Sequence, residues 1–126
     1  MLGSATMKPN FISVGAACAA LGVGLGAFGA HGLRGMIGEA QLVWWETGTR
    51  YWLVGALGMC LFGSYRSRRD VSAFPGWLLL IGSALFAGSL YGMALGAPRG
   101  VGAITPLGGL GLIAGFSSFA WLARRG

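Results

Sequence analysis

Apolar residues fall in four long blocks separated by short polar connections. Residues 11–30 carry no charge, residues 47–65 carry only Arg50 near their start, and residues 71–98 and 100–123 are again uncharged. A helix rises about 1.5 Å per residue, so about 20 residues cross the roughly 30 Å hydrocarbon core of a bilayer. Each block reaches that length. Lipid offers no water to the backbone, so every N–H and C=O must pair within the segment; this selects helices, and the blocks lack the alternation of a membrane barrel. The expected architecture is all-α: an integral membrane four-helix bundle forming a single membrane domain over residues 1–126, with spans near 11–31, 47–65, 74–95 and 104–123. No repeat of 20–50 residues and no second domain interrupts the pattern.

The connections refine the picture. Between the first two spans, over Leu33 to Trp45, Met36, Ile37, Ala40 and Trp44 share one side of a helical wheel and Glu39 and Gln41 another, which predicts a short interfacial helix. Arg66-Ser67-Arg68-Arg69-Asp70 reads as a polar hairpin, with Pro75 placed to open the next helix. Residues 96–102 form a third loop around Pro98 and Arg99. Lys8 before an apolar run, with Ala27-Phe28-Gly29 beyond it, has the general plan of a secretory signal. The segment is nevertheless expected to be retained as the first helix.

Composition narrows the class. A soluble domain carries about 25% charged residues and about 7% glycine. Here 10% of 126 residues are charged, 55% are hydrophobic, 25 are glycine and the mean hydropathy is +0.69. A chain this short needs more polar surface than average, and twelve charged side chains cannot cover it. An ordinary soluble enzyme and a disordered tail are both excluded. The net charge of +6 acquires a meaning once four spans are drawn. Lys8, Arg66, Arg68, Arg69, Arg124 and Arg125 fall on the side of both termini, against Arg34, Arg50 and Arg99 on the other. Positive charge stays inside, which predicts a bacterial-type inner (plasma) membrane protein with both termini cytoplasmic. The lipid bilayer is the expected partner, and the basic residues call for no nucleic acid.

Glycine spacing adds a packing expectation. Helices in lipid associate through close backbone approach, so small residues four apart mark contact faces. Gly22, Gly26 and Ala30 make such a series, as do Ala84, Gly88, Gly92 and Gly96, and Gly111 with Gly115. Gly22, Gly26, Gly88, Gly92, Gly111 and Gly115 are therefore the expected helix-packing residues. They would pack the bundle itself, or join it to a second copy or another membrane subunit.

Ionisable residues at membrane depth are functional candidates by default. In a four-span bundle His31, Glu46, Arg50, Tyr91 and Thr105 gather at the outer end, forming a candidate polar cluster. Thr105 and Pro106 suit a helix N-cap and first turn, whose free N–H groups attract a carboxylate or small anion. Structural alternatives stand beside each. Glu46 and Arg50 have the order and spacing of a helical ion pair. His31 suits a C-cap. Tyr91 and the tryptophans Trp44, Trp45, Trp52, Trp77 and Trp121 suit interface anchors. One histidine with Cys18 and Cys60 supplies neither a zinc set nor a disulfide framework, and one protomer cannot ligate haem through two histidines. No phosphate-binding loop occurs. Ser89, His31 and Glu46 hold the residue types of a nucleophilic triad, but no nucleophile elbow accompanies them. No catalytic residue, cofactor or metal is expected.

Four ordered motifs carry a resemblance: Gly26-Ala27-Phe28-Gly29-Ala30-His31-Gly32-Leu33; Trp45-Glu46-Thr47 with Arg50-Tyr51; Phe86-Ala87-Gly88-Ser89-Leu90-Tyr91; and Gly102-Ala103-Ile104-Thr105-Pro106-Leu107-Gly108-Gly109. They cover nearly the whole chain and resemble the small membrane family called domain of unknown function 423, the YgdD-like proteins. The resemblance implies a four-span inner-membrane protein and no particular reaction. It also implies a histidine after the Arg-Tyr, where this chain has Gly55, which counts against a redox or metal role. The favoured role is non-enzymatic, through helix association as a small homo-oligomer or accessory subunit of a membrane complex. The alternative is a small-solute, ion or proton pathway through the polar cluster.

Overall fold

The computed structural model describes residues 10–124; Lys8 and Arg125, which enter the charge asymmetry, lie outside them. The described residues fold into four α-helices and form no strand beyond an isolated bridge between Arg34 and Ile37. Helix α1 runs Phe11–His31, α2 Glu39–Arg66, α3 Phe74–Ala94 and α4 Ile104–Ala123, with a 3-10 turn over Arg99–Ala103 leading into α4. Asn10 starts α1: its side-chain oxygen accepts from the N–H groups of Ile12 (3.1 Å) and Ser13 (3.2 Å), satisfying two donors that a helix start leaves free. Pro75 opens α3, where its missing N–H is harmless.

Two local expectations are corrected. The separate interfacial helix over residues 33–45 does not form. Gly35 takes a φ of +86°, a left-handed turn that favours glycine, and the chain is already in α2 from Glu39. The amphipathic pattern belongs to the opening turns of a 28-residue helix. Thr105 does not cap α4 either. The 3-10 turn joins α4 without a break, Ala103 stands at the cap position, and the Thr105 hydroxyl bonds elsewhere.

Three segments are long and apolar enough to cross a membrane: Phe11–His31, Phe74–Ala94 and Arg99–Ala123. Helix α2 is not among them. It carries Glu39, Glu46, Arg50 and Arg66 together with several glycines and tryptophans, which dilute its apolar character. Its packing explains the glycines and tryptophans. α1 packs along α2, α2 along α3 and α3 along α4, while α1 and α4 make no extensive contact among the described residues. α2 is thus covered from two sides, and α4 reaches it through side chains. Phe119 lies 5.3 Å from the Phe62 ring, and the Tyr65 hydroxyl donates to the Leu122 carbonyl at 2.8 Å.

Glycine is used in two ways. In α1, Gly15, Gly22 and Gly29 recur every seven residues and are all buried. A Cβ at Gly22 would collide with the Leu53 and Trp52 side chains of α2 and one at Gly29 with the Trp45 ring, while one at Gly15 would strike the Ala56 and Cys60 backbone. Between α3 and α4 the backbones themselves meet. A Cβ at Gly108 would strike the Phe86 backbone, and one at Gly82 would lie 2.7 Å from the Leu112 nitrogen. The main core lies where these layers converge: Phe11, Met59, Phe62, Leu79 and Leu112.

Candidate functional site

The end of the molecule where α1 and α3 finish and α2 begins holds a polar network centred on α2. Trp45 is 4% exposed, and its indole N–H donates to the Leu25 carbonyl of α1 at 2.8 Å. One turn on, buried Thr49 donates to the Trp45 carbonyl at 3.0 Å and shares a 2.6 Å hydrogen bond with the Tyr91 hydroxyl of α3. The Trp45 and Tyr91 rings lie 4.2 Å apart between centroids. One turn of α2 therefore ties α1 to α3. A second hydroxyl pair joins α3 to α4: Ser89 and Thr105 at 2.5 Å, with Ser89 also donating to the Phe86 carbonyl.

The five residues of the expected cluster are divided by this arrangement. Tyr91 and Thr105 belong to the two hydroxyl pairs. His31, Glu46 and Arg50 are exposed and join neither. Glu46 and Arg50 form no ion pair among the described residues, despite their favourable spacing. The end of α1 is capped by Arg34, whose Nε donates to the Ala30 carbonyl at 3.1 Å, and not by His31. The triad types do not assemble as a triad, because the Ser89 hydroxyl bonds to Thr105 and the Phe86 carbonyl. Among the described residues no three His, Cys, Asp or Glu side chains gather in a metal-sized group, and no buried side-chain nitrogen or oxygen lacks a partner. A recess of about 300 Å³ opens nearby between Ile37, Gly38, Gln41 and the Met93–Gly96 turn; none of the five residues lines it.

Of the glycines expected to pack, a Cβ at Gly22 would meet Leu53 and Trp52, one at Gly26 would meet Thr49, and those at Gly111 and Gly115 would meet Gly82 and Leu79. At Gly92 the neighbours are Ala97 and Val101 of the following connection. Gly88 faces open space.

Three features escaped the four-residue spacing. The seven-residue series Gly15, Gly22, Gly29 was one, and that spacing was its signal. The others are the roles of Trp45 and Trp52, which do not act as simple interface anchors. The Trp52 indole donates to the Cys18 carbonyl at 2.7 Å, repeating one heptad along what Trp45 does with Leu25. These bonds set an antiparallel register that puts Arg50 beside Ala20, next to the middle of α1. Gly48 against Ala87 and Gly55 against Ser83 place Arg50 within about one turn of the middle of α3. Because α2 begins at Glu39, Arg50 lies about three turns into the helix and not at its start. Position 55, where the resemblance implies a histidine, is closed here by the Ser83 side chain.

The fold and its apolar helices define a helical membrane protein. The family model described as "Protein of unknown function (DUF423)" matches residues 25–109. The chain is 43% identical over 107 residues to a UPF0382 membrane protein of Staphylococcus haemolyticus, covering 84% of this chain and 88% of the relative. It is 43% identical over 106 residues to the UPF0382 membrane protein YwdK of Bacillus subtilis, covering 82% and 86%. The chain belongs to the DUF423 family. No solved structure matches it.

Proposed function

We propose that the chain is a four-span protein of the bacterial plasma membrane, with both termini cytoplasmic, that acts by helix association as a small homo-oligomer or an accessory subunit. α2 counts as the fourth span because it lies antiparallel along α1 from Trp45 beside Leu25 to Cys60 beside Ile12. A helix held that way against a crossing helix crosses with it, although its composition alone would not carry it. The excess of Arg and Lys at the terminal side supports the orientation.

The observation that carries the association reading is Gly88. It lies on an exposed part of α3, next to exposed Ala84 and Leu85, with no atom within 4 Å of where a Cβ would stand. A side-chain-free patch on an outward helix face admits the close backbone approach on which helix pairing in lipid depends. The solute-pathway reading draws less support, since Tyr91 and Thr105 direct their hydroxyls into helix–helix bonds. The test is excision of native nanodiscs from the membrane with a polymer, followed by native mass spectrometry. The reading expects two or more copies per particle, or a co-purifying membrane subunit. Single copies with no protein partner would overturn it.

A further inference from the structure

The outward face of α2 carries three charges that the fold leaves without partners: Glu39 in its first turn, and Glu46 and Arg50 further in. Val43, Glu46, Arg50, Val54, Leu57 and Leu61 are all exposed and follow one another at three- and four-residue steps. Val43, Arg50 and Leu57 are seven apart, as are Val54 and Leu61, which is the spacing of a two-helix seam. The faces of α2 that meet α1, through Trp45, Trp52 and Cys60, and α3, through Gly48 and Gly55, lie on either side of this stripe.

Arg50 sits level with the middle of α1, where an unpaired charge facing lipid is strongly disfavoured. Helical side chains lean toward the N-terminus, so the Arg50 guanidinium leans toward the level of Glu46. Yet the two do not pair within the chain. Beyond Glu39 at the helix start, Glu46 and Arg50 therefore stand on the stripe as an acid and a base one turn apart, both available.

We infer that this stripe is the contact between two copies of the chain, with Arg50 of each copy bonded to Glu46 of the other. A two-fold axis along the membrane normal sets identical stripes face to face with like residues level, and the N-terminal lean of the long Arg50 side chain carries each guanidinium to the level of Glu46 of the other copy. Val54, Leu57 and Leu61 continue the seam below the charges. The pairing removes both charges from lipid, which no neighbour within the chain does. It rests on the association reading above, takes a second copy as the partner, and places the contact on α2 rather than on the Gly88 patch of α3.

The test uses full-length protein in its native membrane, with Cys18→Ala and Cys60→Ala as background and Leu57→Cys as reporter. Oxidation is expected to give a disulfide-linked dimer. Glu46→Arg or Arg50→Glu alone should lower that yield roughly tenfold or more, and the double exchange Glu46→Arg with Arg50→Glu should restore it. Restoration separates pairing from misfolding, because a damaged fold would not recover on adding a second substitution. Dimers that form through Gly88→Cys but not Leu57→Cys would overturn the α2 interface while leaving the association reading standing. Crosslinking indifferent to every charge exchange would overturn the ion pairs. Single copies under all conditions would overturn the dimer, and the association reading with it unless a membrane subunit co-purifies.

Discussion

The α1–α2 seam and the α3–α4 crossing use the same residue for opposite purposes. In the first, Gly22 and Gly29 make hollows that large side chains fill, while Gly15 rests on the α2 backbone at Ala56 and Cys60, and the indoles of Trp45 and Trp52 donate into the helix they enter. In the second, Gly82, Gly108 and Gly111 have no side chain to receive; they let one backbone rest on another. A hollow filled by a ring has some room to adjust, because the ring can turn. Two backbones in contact have none. Glycine count alone does not separate these uses, and the location of the nearest foreign atom does.

The contrast orders the expected effects. Gly108→Val should be the most damaging, since its Cβ meets the Phe86 backbone and no rotamer relieves that. A loss of about 3 kcal/mol or more is expected in mixed-micelle unfolding followed by tryptophan fluorescence, the upper part of the overpacking range. Gly29→Ala comes next. Its methyl meets the Trp45 ring, so the loss should be about 1–3 kcal/mol, partly offset by the roughly 1 kcal/mol by which alanine favours a helix over glycine. Trp45→Phe keeps most of the ring and removes the N–H bonded to Leu25; about 1 kcal/mol should be lost in the same assay. Gly88→Ala should be neutral to about 1 kcal/mol stabilising for the single chain, because its methyl meets nothing. If Gly88→Ala proves as harmful as Gly29→Ala, the division between filled and open glycine positions fails.

Much of the fold was legible in the sequence. Four uncharged or nearly uncharged runs announced four spans; four helices are present among the described residues, and three segments are long and apolar enough to cross a membrane. What was not legible is the register between them. Spacing by four found Gly22, which lies under Trp52, but equally selected Gly88, which touches nothing. The pattern of one helix does not state which of its faces meets a neighbour. The interfacial helix was misread because Met36 and Ile37 continue the apolar pattern of Ala40 and Trp44, although Gly35 and Gly38 break the chain before α2 begins. That shift of two turns also hid the depth of Arg50. The candidate cluster fared similarly. Tyr91 and Thr105 lie at the end where α1 and α3 finish, but their partners Thr49 and Ser89 follow only from three-dimensional register.

Depth gives Arg50 its weight. A charge at the centre of a membrane helix costs about 2.5–3.5 kcal/mol on insertion scales. That cost exists only if α2 crosses the bilayer beside α1 and α3, which is the central claim. Site-directed labelling at the two ends of α2 tests it most directly. In a Cys18→Ala, Cys60→Ala background, Ala40→Cys and Ser67→Cys are treated with a membrane-impermeant maleimide, first on intact cells stripped to the plasma membrane and then on inverted vesicles. If α2 crosses, Ala40→Cys reacts only from the outer side and Ser67→Cys only from the cytoplasmic side. Reaction of both from one side would contradict it.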